Sequence, residues 1–178
     1  DHVQIHHNSG TYTGGIANSG RFLTINYSAI HSNTAYDGGG IYSFGGIITI
    51  NNSTISRNVA INNGGGIDNN GGSYVLNNVT ISNNQADYGG GVYNSVTNLN
   101  SFLIRNTILA GNTAQITGKN CMGGAYSGSV KSQGNSLIAS NTGCNYISGP
   151  GDKVNVNPLL GTFLPFRGYH PILTGSPA

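Results

Sequence analysis

The sequence contains no glutamate and no tryptophan, one methionine, two cysteines and five prolines in 178 residues. Charged side chains make up only 7% of it, with a net charge of +2. So few charges cannot hold a chain open as a disordered polyelectrolyte. The seven basic residues are scattered from Arg21 to Arg167 without forming a stripe, which argues against a nucleic-acid partner. No run of 18 apolar residues occurs, so no membrane-spanning helix is expected. No leader segment is visible; an exported form would already have lost it. Two thiols cannot complete a zinc site. Cys121 and Cys144, 23 residues apart, are instead candidates for a disulfide between neighbouring repeats in an oxidising compartment.

What the chain does have is glycine and asparagine, 29 and 26 residues respectively. A polar low-complexity tract would have this composition too. Here, however, the Asn and Gly recur in fixed register with Ile, Leu and Val. An apolar anchor falls at Ile5, Ile30, Ile55, Ile81, Leu109 and Ile138. An asparagine follows three residues later each time, at Asn8, Asn33, Asn58, Asn84, Asn112 and Asn141. Glycine runs recur between anchors, at Gly14-Gly15, Gly38-Gly39-Gly40, Gly64-Gly65-Gly66 and Gly89-Gly90-Gly91. The period is roughly 25 residues at first, and the later copies drift.

Within each copy the apolar residues alternate, as in Leu23/Ile25 and Ile48/Ile50, which is the two-residue period of a strand. Glycine triplets would break a helix, and no ten-residue segment has helical spacing. One copy cannot bury its own apolar edge, but stacked copies bury a continuous column. The expected fold is therefore all-β: a single-stranded right-handed parallel β-helix of about six coils. At a strand spacing near 4.8 Å, six coils make a rod about 29 Å long. The coils are expected over residues 1–145, and 146–178 is expected to be a less regular C-terminal capping or anchor-like segment of the same domain. Equivalent asparagines one strand apart can hydrogen-bond as a ladder, and asparagine tolerates the left-handed backbone of a tight corner. Asn8, Asn33, Asn58, Asn84, Asn112 and Asn141 are the candidate ladder.

These residues resemble the polymorphic outer-membrane protein repeat of bacterial surface proteins. Its glycine-glycine-apolar signature matches Gly14-Gly15-Ile16, Gly39-Gly40-Ile41, Gly65-Gly66-Ile67 and Gly90-Gly91-Val92. Its apolar-x-x-Asn signature matches the six anchors, which carry Ile or Leu where the family often has Phe. The C-terminal part is similar to the "choice-of-anchor" domain of secreted bacterial β-helix proteins. The matching pieces are Asn135-Ser136-Leu137-Ile138, Gly143-Cys144, Val154-Asn155-Val156-Asn157-Pro158-Leu159-Leu160-Gly161 and Gly175-Ser176-Pro177-Ala178. The resemblance implies a secreted or surface protein. The chain opens within a repeat, as a processed form or a part of a longer protein would.

Many β-helices act on polysaccharides, and that chemistry needs paired carboxylates, or Ca²⁺ beside a basic residue. The only acids are Asp1, Asp37, Asp68, Asp87 and Asp152. Asp37 and Asp87 flank glycine triplets two copies apart, and Asp68 occupies a different register. Corner roles are expected for them, with no catalytic residue, no cofactor and no metal site. His6 and His31 occupy equivalent positions beside His7, and chance stacking of exposed histidines explains them. Tyr42, Tyr93 and Tyr126 follow glycine runs and form a candidate outward stripe for sugars or self-association. Asn26, Asn51, Asn52 and Asn78 begin Asn-x-Ser/Thr sequons and are candidate glycosylation sites on an outer corner.

The expected function is non-enzymatic: an extracellular or cell-surface scaffold that self-associates end to end into filaments or acts as an adhesin. The alternative is a carbohydrate-binding or polysaccharide-degrading β-helix, with cell-surface glycans as partners.

Overall fold

The computed structural model describes residues 1–123 and 128–178. The described residues contain twenty short strands and no helix. Every pairing between these strands is parallel, as for Ala29–His31 against Thr54–Ser56 and Ile67–Asn69 against Val92–Asn94. The chain is a β-solenoid of about five turns. The expectation of six is reduced because the outermost copies are partial. The last step, Ile138 to Val154, spans only 16 residues and misses one wall of the coil.

One turn shows how the sequence makes the coil. Ala29–His31 lies in a seven-stranded sheet that runs from Gln4–His6 to Lys153–Val154. The backbone turns at Ser32 (φ 55°) and enters Thr34–Ala35, in a four-stranded sheet. It turns again at Gly38 (φ 53°) into Ile41–Asn51, in a nine-stranded sheet, and at Asn52 (φ 49°) it returns to the first wall as Thr54–Ser56. Ile41–Asn51 is bent near Gly46 (φ 84°), where its register with Ile16–Asn26 slips, so it lines two walls of the coil.

The alternation seen in the sequence becomes columns. Ile5, Ile30, Ile55, Ile81, Leu109 and Ile138 are Cα partners along the seven-stranded sheet. From Ile30 onward this column is at most 1% exposed. Ile41, Ile67, Val92 and Cys121 form a second column, and Ile50, Leu76 and Ile104 a third. Tyr74 and Phe102 stack at 4.9 Å between ring centroids, the offset contact that fills a wide level of the core.

The corner chemistry differs from expectation in one respect. The left-handed residue precedes the ladder asparagine: it is His7, Ser32, Arg57, Asn83 or Gly111, and no ladder asparagine has positive φ. Asparagine serves as the left-handed residue at another corner, at Asn52, Asn78, Asn106 and Asn135. The glycine triplets have two roles. Gly38 supplies positive φ, whereas a Cβ on Gly39 would lie 2.6 Å from the carbonyl oxygens of Gly65 and Val59.

Coil pairing continues to Lys153–Val154, which stacks on Leu137–Ile138. Beyond it the chain forms an antiparallel hairpin, bridged at Leu160–Ile172 and Leu164–Tyr169. This segment lies along the outer face of the seven-stranded sheet, with Ile172 and Ala178 beside Leu137 and Lys153. Its tip at Arg167-Gly168 lies beside Ala29 and Tyr27 in the first turn.

Candidate functional site

The asparagine ladder is a continuous network, exposed at Asn8 and buried from Asn33 to Asn112. Asn8 Nδ2 donates to Asn33 Oδ1 at 2.9 Å, and Asn33→Asn58, Asn58→Asn84 and Asn84→Asn112 repeat the bond at 3.0 Å. Each inner carboxamide also donates to a main-chain carbonyl, as Asn58 Nδ2 does to Ile30 O at 2.9 Å. Its oxygen also accepts the backbone N–H of the preceding asparagine, 3.0 Å for Asn33 N to Asn58 Oδ1. All donors are thus used, which is what permits full burial. Asn141 is not a rung. Asn112 Nδ2 bonds Asn120 Oδ1 at 3.1 Å instead, whereas Asn141 is held through its backbone, its N–H by Asn155 Oδ1 and its carbonyl by the Cys144 N–H. The drift of the last copy moves the equivalent asparagine out of line, and a residue from a different corner fills the place.

Cys121 and Cys144 form a disulfide, with Cα atoms 5.0 Å apart. It anchors the irregular turn around Gly143 to the second core column.

The histidine column is not simply exposed. His6 and His7 are on the surface, but His31 is buried beneath the hairpin's Phe163, ring centroids 4.9 Å apart. Phe163 also lies under the Arg57 guanidinium at 5.4 Å. Ser56 Oγ and His170 Nε2 are 2.9 Å apart, and His170 Nδ1 donates to Gly161 O at 2.8 Å. In neutral His170 that leaves Nε2 to accept the Ser56 hydroxyl. A serine–histidine pair of this kind could serve as a nucleophile and base. Here Ser56 is fully buried, so the contact is a latch. Burial, then the His6, His7 and Arg57 charges, lowers the His31 pKa to about 4. Burial lowers that of His170 as well, only partly opposed by its bond to Gly161, and Arg57 lowers it further. Nothing local in the sequence signals these contacts.

Register puts Tyr42, Asp68, Tyr93 and Met122 at one position on successive turns. Tyr126 falls in 124–127, outside the described residues. The stripe is not an open aromatic face. Tyr42 is only 6% exposed, its hydroxyl accepts from Asn70 Nδ2 at 3.1 Å, and its ring meets Phe44 edge-on. Tyr93 is half-buried.

Between those tyrosines the same register places an acid. Asp68 is 2% exposed, and its Oδ1 has no hydrogen-bond partner. Burial, with Asp37 nearby, pushes its pKa up to about 8. Asp37 Oδ1 accepts from Asn62 Nδ2 at 3.0 Å and Asn63 N–H at 3.1 Å. The sequence signal is an acid between two tyrosines in one column; its burial is decided by the fold. Among the described residues, no group of three or more His, Cys, Asp or Glu side chains is placed to hold a metal ion.

Exposed tyrosines do occur at another place. A surface groove of about 460 Å³ beside the four-stranded sheet is lined by Thr11, Tyr12, Ala35, Tyr36 and Ile61. Tyr12 and Tyr36 are 66% and 48% exposed. Of the sequons, Asn26 and Asn51 have their Nδ2 groups bonded, to Asp1 Oδ1 and Asn26 Oδ1. Asn52 and Asn78 sit exposed on the outer corner, joined by a 3.2 Å bond.

Comparison with protein-family models, with curated proteins and with solved structures finds no match to this chain. The fold itself defines the class: an all-β parallel β-helix, closed laterally by a hairpin and stapled by one disulfide among the described residues.

Proposed function

We propose that this chain is an extracellular structural protein, a β-solenoid rod that associates end to end through its stacked coils. The observation that carries this reading is the strand edge of the first turn, which a further coil, from this protein or another copy, would continue. Gln4–His6 pairs only with Ala29–His31, and Ile16–Asn26 pairs only with Ile41–Asn51. Ile5, Ile16 and Leu23 are partly exposed, while Ile30, Ile41 and Ile48 one turn further in are buried. Such an edge is a template for strand addition, and a contact between unlike ends does not close on itself. The disulfide and the absence of a long apolar helix among the described residues are compatible with an extracellular setting. The resemblance of the repeat to bacterial surface proteins points the same way and includes adhesion among the roles a rod can serve.

Negative-stain electron microscopy and sedimentation of the purified chain test the reading. Fibres of uniform width, abolished by Ile5→Lys with Leu23→Lys, are the expected result. Monomers at every concentration would refute end-to-end association. The groove at Tyr12 and Tyr36 favours a second reading, carbohydrate binding, because its rings and the Thr11 hydroxyl match the two-sided character of a neutral sugar. A glycan array that is silent, or unchanged by Tyr36→Ala, would remove it.

A further inference from the structure

Three buried side-chain oxygens among the described residues have no hydrogen-bond partner: Asp68 Oδ1, Tyr74 Oη and Ser129 Oγ. Two belong to hydroxyls, which are neutral in water. The third belongs to a carboxyl group, whose ionised form is far more costly to leave dry. A buried carboxyl group either keeps its proton, as burial makes Asp68 tend to do in the absence of a cation, or ionises against a cation that it pairs with or ligates. No basic side chain supplies that charge here, and the acting neighbour is another acid, Asp37.

The coil path makes the two acids neighbours. Asp37 precedes Gly38, where an added Cβ would fall 2.6 Å from Tyr42 Cβ, and Tyr42 is the register partner of Asp68. The N–H that holds Asp37 is that of Asn63. Asn63 adjoins Gly64, where a Cβ would fall 2.6 Å from the Asp68 nitrogen. Asp37 and Asp68 thus stand at either end of two stacked glycine corners, Asp37 before Gly38-Gly39-Gly40 and Asp68 after Gly64-Gly65-Gly66 of the next turn. Asp68 is buried, and Asp37 is half-exposed on the side open to solvent.

We propose that Asp37 and Asp68 bind a divalent hard cation, Ca²⁺, which joins two turns of the solenoid at these corners. Two carboxylates balance a divalent charge. The Tyr42 phenol, on the register partner of Asp68, offers a further oxygen, and water completes the shell. Such a set suits Ca²⁺ better than a transition metal, which prefers imidazole or thiolate, or Mg²⁺, which demands a tight octahedron. So few charged ligands place the affinity in the range of extracellular calcium modules, with Kd on the order of 10⁻⁴–10⁻³ M.

The test uses the full chain, stripped with chelator and then titrated with CaCl₂ while its melting temperature is followed. In parallel, Tb³⁺ is added and its luminescence excited through tyrosine, which is selective because the chain has no tryptophan. Saturable Ca²⁺ stabilisation of several degrees, and Tb³⁺ emission displaced by Ca²⁺, are expected. Asp68→Asn and Asp37→Asn should each weaken both responses at least tenfold, and Asp1→Asn should leave them unchanged. The half-exposed Asp37 provides the variant that folds if Asp68→Asn does not. No response to Ca²⁺ or Tb³⁺, or an equal response in both corner variants, would overturn the site. An Asp68→Asn protein that melts higher while the parent ignores Ca²⁺ would also overturn it, by marking Asp68 as a buried neutral acid.

Discussion

Replacing Asn58 with alanine removes a carboxamide that makes four hydrogen bonds from a position with no solvent exposure. The consequences can be followed bond by bond. Asn33 loses the acceptor of both its backbone N–H and one Nδ2 hydrogen. Asn84 Oδ1 still receives the backbone N–H of residue 58 at 2.9 Å, so the downstream rung is only weakened. Two buried donors are therefore stranded, at about 1–3 kcal/mol each. The expected loss is about 2–6 kcal/mol. In a chain of this size that lowers Tm by roughly 5–20 °C, since about 1 kcal/mol corresponds to about 2–4 °C. Urea unfolding followed by far-UV circular dichroism measures it. Gln115→Ala, which removes an exposed amide, should stay within about 0.5 kcal/mol. Asn58→Asp should be worse than alanine at neutral pH, because a carboxylate would face the oxygens of Asn84 and Ile30. An Asn58→Ala loss below about 1 kcal/mol would refute the claim that the ladder is a dry network in which every donor counts.

Three further outcomes are expected. The C-terminal hairpin should loosen in acid. His31 and His170 are held below their unfolded pKa near 6.5. Across the window from about 6.5 down to about 4 the unfolded chain binds more protons, so docking is firm above it and weakens as pH falls. Gln4, His6, His7, Ser32, Ser56, Arg57 and Phe163 surround the two imidazoles, and none is an acid. Hydrogen exchange should show the Gly161, Leu164 and Leu173 amides losing protection before the ladder amides. His31→Gln with His170→Gln should flatten the effect, and strap protection constant from neutral to acid would sink the idea. Gly39→Ala should destabilise by about 1–3 kcal/mol through overpacking. Gly45→Ala, whose nearest neighbour would be 3.5 Å away, should be nearly silent in the same urea assay. Reducing the Cys121–Cys144 bond releases a loop with a sequence separation of 23, worth about 3 kcal/mol by loop closure. An unchanged denaturation midpoint in reductant would contradict that.

The sequence by itself determined the solenoid, its wall of anchors from Ile5 to Ile138, the rungs from Asn8 to Asn112 and the Cys121–Cys144 pair. These were legible because a solenoid is nearly one-dimensional. Each turn touches only its neighbours, so spacing along the chain maps directly onto position in the stack. The tertiary structure alone decided the rest. Asn120 replaces Asn141 as the last rung because the final turns lose the period. Tyr42 turns out covered, and Asp37 comes near the buried Asp68, because the path of a glycine corner depends on which backbone atoms it must clear. Ser56 meets His170 from 114 residues away because an aperiodic hairpin folds back along the seven-stranded sheet. A repeat carries its own register, but a segment without a period finds its place only from the surface on which it comes to rest.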